Sequence, residues 1–124
     1  LSFQTIKKRS DFLSATSRGK KFITGSFILQ MLPRNETHPA GQQDVRFGFT
    51  VTKKMGNAVI RNRIKRRLRE AVRKATTKHA LAGHDYVLIS RHKALDCPFT
   101  DLTRDMEFAF SRIVSMKDTT PTKP

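Results

Sequence analysis

Apolar and polar residues alternate strictly from Val45 to Thr52. Val45, Phe47, Phe49 and Val51 fall on one side, and Arg46, Gly48, Thr50 and Thr52 on the other. A period of two is the mark of a strand with one buried face. The same period runs from Phe22 to Leu32, where Phe27, Leu29 and Met31 alternate with Ile28 and Gln30. Gly25 divides that stretch into a short strand and a longer one. Asp85 to Ser90, "DYVLIS", is a short apolar run of the kind that fills a central strand. Elsewhere the period lengthens. Ile60, Ile64, Leu68, Ala71, Val72 and Ala75 fall in a band about 120° wide when placed on a helix. Asn57 caps that helix at its start. It is expected to run to Thr77 or Ala80, with Gly83 closing the turn. Leu102, Met106, Ala109, Phe110 and Ile113 form a second helical stripe, opened by Pro98 and Thr100. Near the start, Ser10 caps and Gly19 ends a short helix whose Phe12, Ala15 and Thr16 share a face.

The predicted order is helix-strand-strand-strand-helix-strand-helix. The simplest packing of these elements is an α/β (α+β) two-layer sandwich, a single small sheet covered by helices. The strands at 45–52 and 85–90 flank a long helix and are predicted to be parallel, because a parallel pair needs such a crossover. Residues 33–44 read as a polar loop. There is no repeat and no linker, so residues 1–115 are expected to form one domain. Residues 116–124, rich in Thr, Pro and Lys, are expected to be a flexible tail.

Charge changes the picture. The 124 residues hold 25 Lys and Arg against 10 Asp and Glu, a net charge of +15. That imbalance calls for a polyanionic partner. It is also concentrated. From Lys53 to Lys74, ten of 22 positions are Lys or Arg, and Glu70 is the single acid. On the helix, Arg63, Lys65, Arg66, Arg67, Arg69, Arg73 and Lys74 occupy the arc that the apolar band leaves free. Arg61 falls at the angle of the apolar band, but on the first turn. An ordinary solvated face mixes signs, often as Glu–Lys pairs four apart; this one does not.

The partner is expected to be nucleic acid and not a membrane. Six of the eight basic residues from Arg61 to Lys74 are Arg, which bonds phosphate bidentately and stacks on bases. A membrane-surface helix would present large aromatic anchors on its other face, whereas this one offers Ile, Leu and Ala. No segment is apolar enough to span a bilayer. The stretch from Leu1 to Leu13 lacks the apolar core and cleavage site of a signal peptide. "KKMGNA" brings two lysines and a capping Asn to a helix start, where free N–H groups favour a phosphate. The spacing is not that of a Walker loop.

The stretch "FGFTVTKKMGNAVIRNRIKRRLREAVR", Phe47 to Arg73, centred on Arg61-Asn62-Arg63, resembles the bacterial ribonuclease P protein subunit family. "RSDF", Arg9 to Phe12, and the element order support this. The resemblance implies a small α/β sandwich whose strand–helix–strand crossover is left-handed, against the usual rule. It implies that the chain binds a large catalytic RNA and helps it remove the 5′ leader of precursor tRNA by hydrolysing one phosphodiester bond. The RNA would be the catalyst and would require the Mg²⁺. No catalytic residue, metal or cofactor is expected in the protein. The implied partners are that RNA and precursor tRNA, with no membrane and no obligate protein partner, in the cytoplasm.

Site residues follow by matching positions. Lys53, Lys54, Asn57, Arg61, Asn62, Arg63, Lys65, Arg66, Arg67 and Arg69 are expected to contact the RNA subunit. Phe12, Thr16, Gln30, Arg46 and Thr50 are expected to line a cleft for the single-stranded leader. Thr16 and Gln30 stand where some relatives carry aromatics on which bases stack, so leader binding is expected to lean on Phe12, Arg46, hydrogen bonds and charge. Read without the resemblance, Phe12 is an ordinary core aromatic.

Other chemistry has less behind it. Asp101, Asp105 and Glu107 cluster at a helix start, where the dipole explains them better than a two-metal nuclease does. His38, His79, His84 and His92 lack zinc spacing, and the lone Cys97 adds nothing to them. The alternative of another class is a structural RNA-binding protein of ribosomal type with no processing role. A DNA-reading helix would need base-reading side chains free to enter a major groove.

Overall fold

The computed structural model describes residues 4–6, 19–34, 38, 45–75 and 83–115. Five strands form one mixed sheet: β1 (Gln4–Thr5), β2 (Lys20–Ile23), β3 (Phe27–Pro33), β4 (Arg46–Thr50) and β5 (His84–Ser90), in the order β1-β4-β5-β3-β2. Helices α1 (Ala58–Ala75) and α3 (Phe99–Ser115) cover one face. A short α2 (Lys93–Asp96) bridges β5 to α3, and a 3-10 turn at Lys53–Met55 leads from β4 into α1. This is the two-layer α+β sandwich that the hydrophobic pattern predicts. The helix expected at Ser10 lies outside the described residues, as do Thr77 to Ala80 and residues 116–124.

The central pairing is parallel, as expected. Phe47 faces Tyr86 and Phe49 faces Leu88 across β4 and β5, with α1 as the crossover. Gly25 does separate two strands. β2 and β3 form an antiparallel hairpin in which Phe22 meets Leu29. At its tip the Thr24 hydroxyl oxygen accepts the backbone N–H groups of Ser26 (3.2 Å) and Phe27 (3.1 Å). A polar side chain thus closes the turn that the strands leave open. Two elements had no clear signature. β1 is two residues long, too short to show a period, and pairs in parallel with β4. α2 is a single turn.

The core follows the two periodicities. From the sheet come Phe27, Leu29, Met31, Phe47, Tyr86 and Leu88; from α1, Ile64, Leu68, Ala71, Val72 and Ala75; from α3, Leu102, Met106, Ala109, Phe110 and Ile113. Ile60 of the predicted stripe packs against this core while partly exposed. Phe47, Tyr86 and Phe110 form an aromatic centre, with Tyr86 4.9 Å from Phe110 and 5.3 Å from Phe47. Alternate residues of the same strands face away from the helices. There Ile6 and Val87 are buried with Leu32 and Ile89 packed against them. The sheet therefore has two working faces. Among the described residues, no helix is long and apolar enough to cross a membrane.

Candidate nucleic-acid interface

The basic face is built from the start of α1 outward. Gly56 stands between the 3-10 turn and the helix at φ 142°, a backbone region that side chains disfavour. A Cβ there would also lie 3.0 Å from two side-chain carbons of Ile60. Glycine is thus the residue that lets the chain swing from β4 into α1. The Asn57 side-chain oxygen accepts the Ile60 N–H at 3.0 Å, so the predicted cap is present. Arg61 is half-buried and donates back to the Gly56 carbonyl at 3.3 Å. It lies over the first turn.

Beyond that turn the side chains point to solvent. Lys53, Lys54, Asn57, Asn62, Arg63, Arg66 and Arg69 are exposed, and Lys65 is half-buried. The Arg69 guanidinium lies 5.6 Å from the centre of the Phe49 ring, which orients it without neutralising it. Glu70 pairs with Arg73. Among the described residues, no carboxylate comes within ion-pair distance of Lys53, Lys54, Arg61, Arg63, Lys65, Arg66 or Arg69. The helix start therefore presents uncompensated positive charge together with backbone N–H groups not used by the helix ladder, an arrangement suited to phosphate.

Arg67 departs from the expectation for it. Its Nε donates to the Ala94 carbonyl at 2.9 Å, and its terminal nitrogen donates to the Cys97 carbonyl and sits 3.8 Å from the Cys97 sulfur. The guanidinium ties α1 to the α2 turn instead of facing outward. A helical wheel places Arg67 beside the apolar band, yet only tertiary structure reveals carbonyls within its reach. Sequence reasoning also passed over Arg91 and Lys93, which are exposed after β5; two basic residues directly after a strand were the available signal.

The five residues matched to a leader cleft divide. Gln30, Arg46 and Thr50 occupy the sheet face away from α1 and α3, on three different cross-strand rows: Gln30 faces Val87, Arg46 faces Asp85 and Thr50 faces Ile89. Phe12 and Thr16 lie outside the described residues. Arg46 is closed onto Asp85: its Nε donates to one carboxylate oxygen at 2.8 Å and its terminal nitrogen to the other at 2.6 Å. Arg34 bonds the same carboxylate at 2.6 Å and the His84 carbonyl at 3.1 Å. The side chains of Arg34, Asp85 and Arg46 are 1%, 3% and 11% exposed. Arg46, expected to line the leader cleft, is thus held by a carboxylate of the neighbouring strand. Gln30 is buried, and among the described residues its side-chain oxygen meets no hydrogen-bond donor. Thr50 is half-buried.

The acids of α3 have local tasks. Asp105 accepts the Ser26 hydroxyl at 2.8 Å, and Asp101 lies 3.6 Å from Arg104. Asp105 ties α3 to the β2–β3 turn, whereas the Asp101–Arg104 pair is exposed and lies within the helix.

The chain was compared with known proteins. A family model described as Ribonuclease P matches residues 2–114. The ribonuclease P protein component of Paramagnetospirillum magneticum is 42% identical over 114 residues, covering 92% of this chain and 85% of that one. That of Gluconacetobacter diazotrophicus is 48% identical over 101 residues, covering 82% and 83%. Among solved structures, the RNase P protein of Staphylococcus aureus superposes with a TM-score of 0.71 at 30% identity, covering 90% of this chain and 95% of that one. The RNase P protein of Thermotoga maritima gives 0.73 at 25% identity, covering 89% and 97%.

Proposed function

Because this chain belongs to the ribonuclease P protein family, we propose that it docks on a catalytic RNA and assists removal of the 5′ leader from precursor tRNA. The observation that carries this reading is the basic face at the start of α1, from Lys53 to Arg69, which no carboxylate among the described residues neutralises. Its Arg side chains contact the RNA subunit through phosphates, with Lys53, Lys54 and the helix N–H groups completing the cradle. Family membership supports the substrate.

In this reading the protein performs no bond cleavage. The RNA supplies catalysis and holds the Mg²⁺ that it requires. The protein contributes positive charge, which offsets phosphate repulsion between RNA subunit and substrate. It thereby lowers the Mg²⁺ concentration the assembly needs. The leader passes along the sheet face that carries Gln30 and Thr50. Arg46 helps through the Asp85 ion pair that stiffens this face. The reaction takes place in the cytoplasm.

Reconstitution tests the reading. Purified protein is combined with the catalytic RNA and precursor tRNA, and cleavage is followed at low and at high Mg²⁺. The expected result is a large stimulation at low Mg²⁺ that shrinks as Mg²⁺ rises, and its loss in Arg66→Ala at limiting protein. RNA binding without any stimulation would instead assign a structural RNA-binding role.

A further inference from the structure

β2 is an outer strand of the sheet, with β3 on one side and no strand on the other among the described residues. Thr24 donates its backbone N–H to the Phe27 carbonyl at 2.9 Å. Bonded and unbonded pairs alternate along an antiparallel ladder. The backbone N–H and C=O groups of Lys21 and Ile23 therefore point away from β3, along the open edge. Ile23 is 59% exposed and faces Ile28 across the hairpin, on the side of the sheet away from the helices. Phe22 lies on the helix side, its ring 5.7 Å from that of Phe108 of α3, and Phe108 is itself 50% exposed. Lys21 shares the outer side with Ile23, and Lys20 shares the helix side with Phe22. Among the described residues, no carboxylate pairs with Lys21. From residue 23 back to residue 20 the edge is apolar, apolar, basic, basic, with each type present on both sides of the sheet.

We propose that β2 is a docking edge for a partner protein, which adds an extended acidic segment as a further strand. In antiparallel pairing the matching segment is two apolar residues followed by two acids. The apolar pair covers Ile23 on one side and Phe22 with Phe108 on the other; the acids face Lys21 and Lys20. Two observations choose a protein segment over a nucleic acid. Outward backbone groups at every second residue match the repeat of another extended polypeptide. Negative charge also stands at the apolar end of the edge, where Asp105 is bonded to Ser26 of the hairpin and Glu107 precedes Phe108. A phosphate chain would meet that charge, whereas the segment described here places apolar residues there and its acids at the lysine end. A second copy of β2 is disfavoured, because it would bring its own Lys20 and Lys21 to the same edge and a further net charge of +15. The proposal does not depend on RNA docking by α1: β3 and β5 separate β2 from β4, the strand that leads into that helix.

The test uses the full chain and a fluorescent peptide whose centre is valine-valine-glutamate-glutamate, followed by fluorescence anisotropy. Saturable binding is expected, weakened about tenfold by Ile23→Lys, which removes an apolar contact at an exposed position. Lys21→Glu should weaken it too, and should favour a peptide with lysine in place of the first glutamate. Methylating the peptide nitrogens that face the edge should abolish binding. Hydrogen exchange at the Lys21 and Ile23 amides should slow when the unmodified peptide is added. Arg66→Ala should bind the peptide as the unaltered chain does. Absence of binding would overturn the proposal. So would equal binding of the methylated peptide or of one ordered valine-glutamate-valine-glutamate, since either reduces the contact to unspecific charge. Protection of the same two amides by a single-stranded RNA and not by the peptide would assign the edge to RNA. Protection that rises with protein concentration alone would assign it to a second copy; either result refutes the acidic partner.

Discussion

Replacing Asp85 with Asn should be among the most damaging single changes in this molecule. Asp85 accepts three charged hydrogen bonds, two from Arg46 and one from Arg34, at 2.6–2.8 Å. Its side chain is 3% exposed, and the two guanidiniums are 1% and 11% exposed. Asn keeps the shape, removes the charge and turns an NH₂ group toward one of these donors. Breaking a buried pair by removing one partner costs about 3–5 kcal/mol, because the other charge stays desolvated. Arg46 retains some water, and both arginines keep further contacts. The lower end, about 3 kcal/mol, is therefore expected. That is a large share of the roughly 5–15 kcal/mol by which a domain is stable. Urea unfolding measures it as a fall in midpoint at constant m-value. A joint replacement, Arg34→Met with Asp85→Leu and Arg46→Met, should be more stable than Asp85→Asn alone, since no charge is then stranded. An Asp85→Asn loss below about 1 kcal/mol, the range of exposed pairs, would refute the claim that this network holds the outer sheet face.

Four further changes test other parts of the account. Gly56→Ala should cost about 1–3 kcal/mol through backbone strain and the close Ile60 carbons, read by thermal or urea unfolding. Asn57→Ala should cost about 0.5–2 kcal/mol as the cap is removed, and a neutral result would mean that the Ile60 N–H finds water as readily. Leu68→Ala, at a side chain with no exposed surface, should lose about 2–5 kcal/mol; circular dichroism melts suffice to see it. Arg67→Met should lose about 1.5–3 kcal/mol of charged hydrogen bonding, again read by urea unfolding, because the guanidinium ties α1 to the α2 turn.

Legibility in the sequence followed the length and regularity of each pattern. The alternation at Val45 to Thr52 and the stripes of α1 and α3 extend over several periods, and all three elements stand where the pattern puts them. The parallel pairing of β4 with β5 followed from the crossover helix between them. β1 was out of reach because two residues carry no period, and α2 because one helical turn has no face. The basic surface of α1 was legible as charge, since Glu70 is the single acid among ten basic residues from Lys53 to Lys74. What individual guanidiniums do was not legible. Arg46 and Arg67 look like Arg63 and Arg66 in the sequence. Yet Arg46 meets a carboxylate from a strand 39 residues away, and Arg67 meets carbonyls 27 and 30 residues away. Such long-range partners emerge only when the sheet register and the α2 turn are known. Gln30 shows the opposite case, a polar residue that the alternation places correctly on the outer face but whose burial depends on tertiary cover.

Contact between the α1 face and the catalytic RNA is tested most directly by cleavage from a tethered radical source. An iron chelate is attached at Arg66→Cys in a Cys97→Ala background, and the assembled protein–RNA complex is mapped for strand scission. Cuts are expected in a few discrete backbone segments of the catalytic RNA, with none from the same chelate attached at Ser111→Cys. A silent chelate at position 66, in a complex that still processes precursor tRNA, would contradict the account.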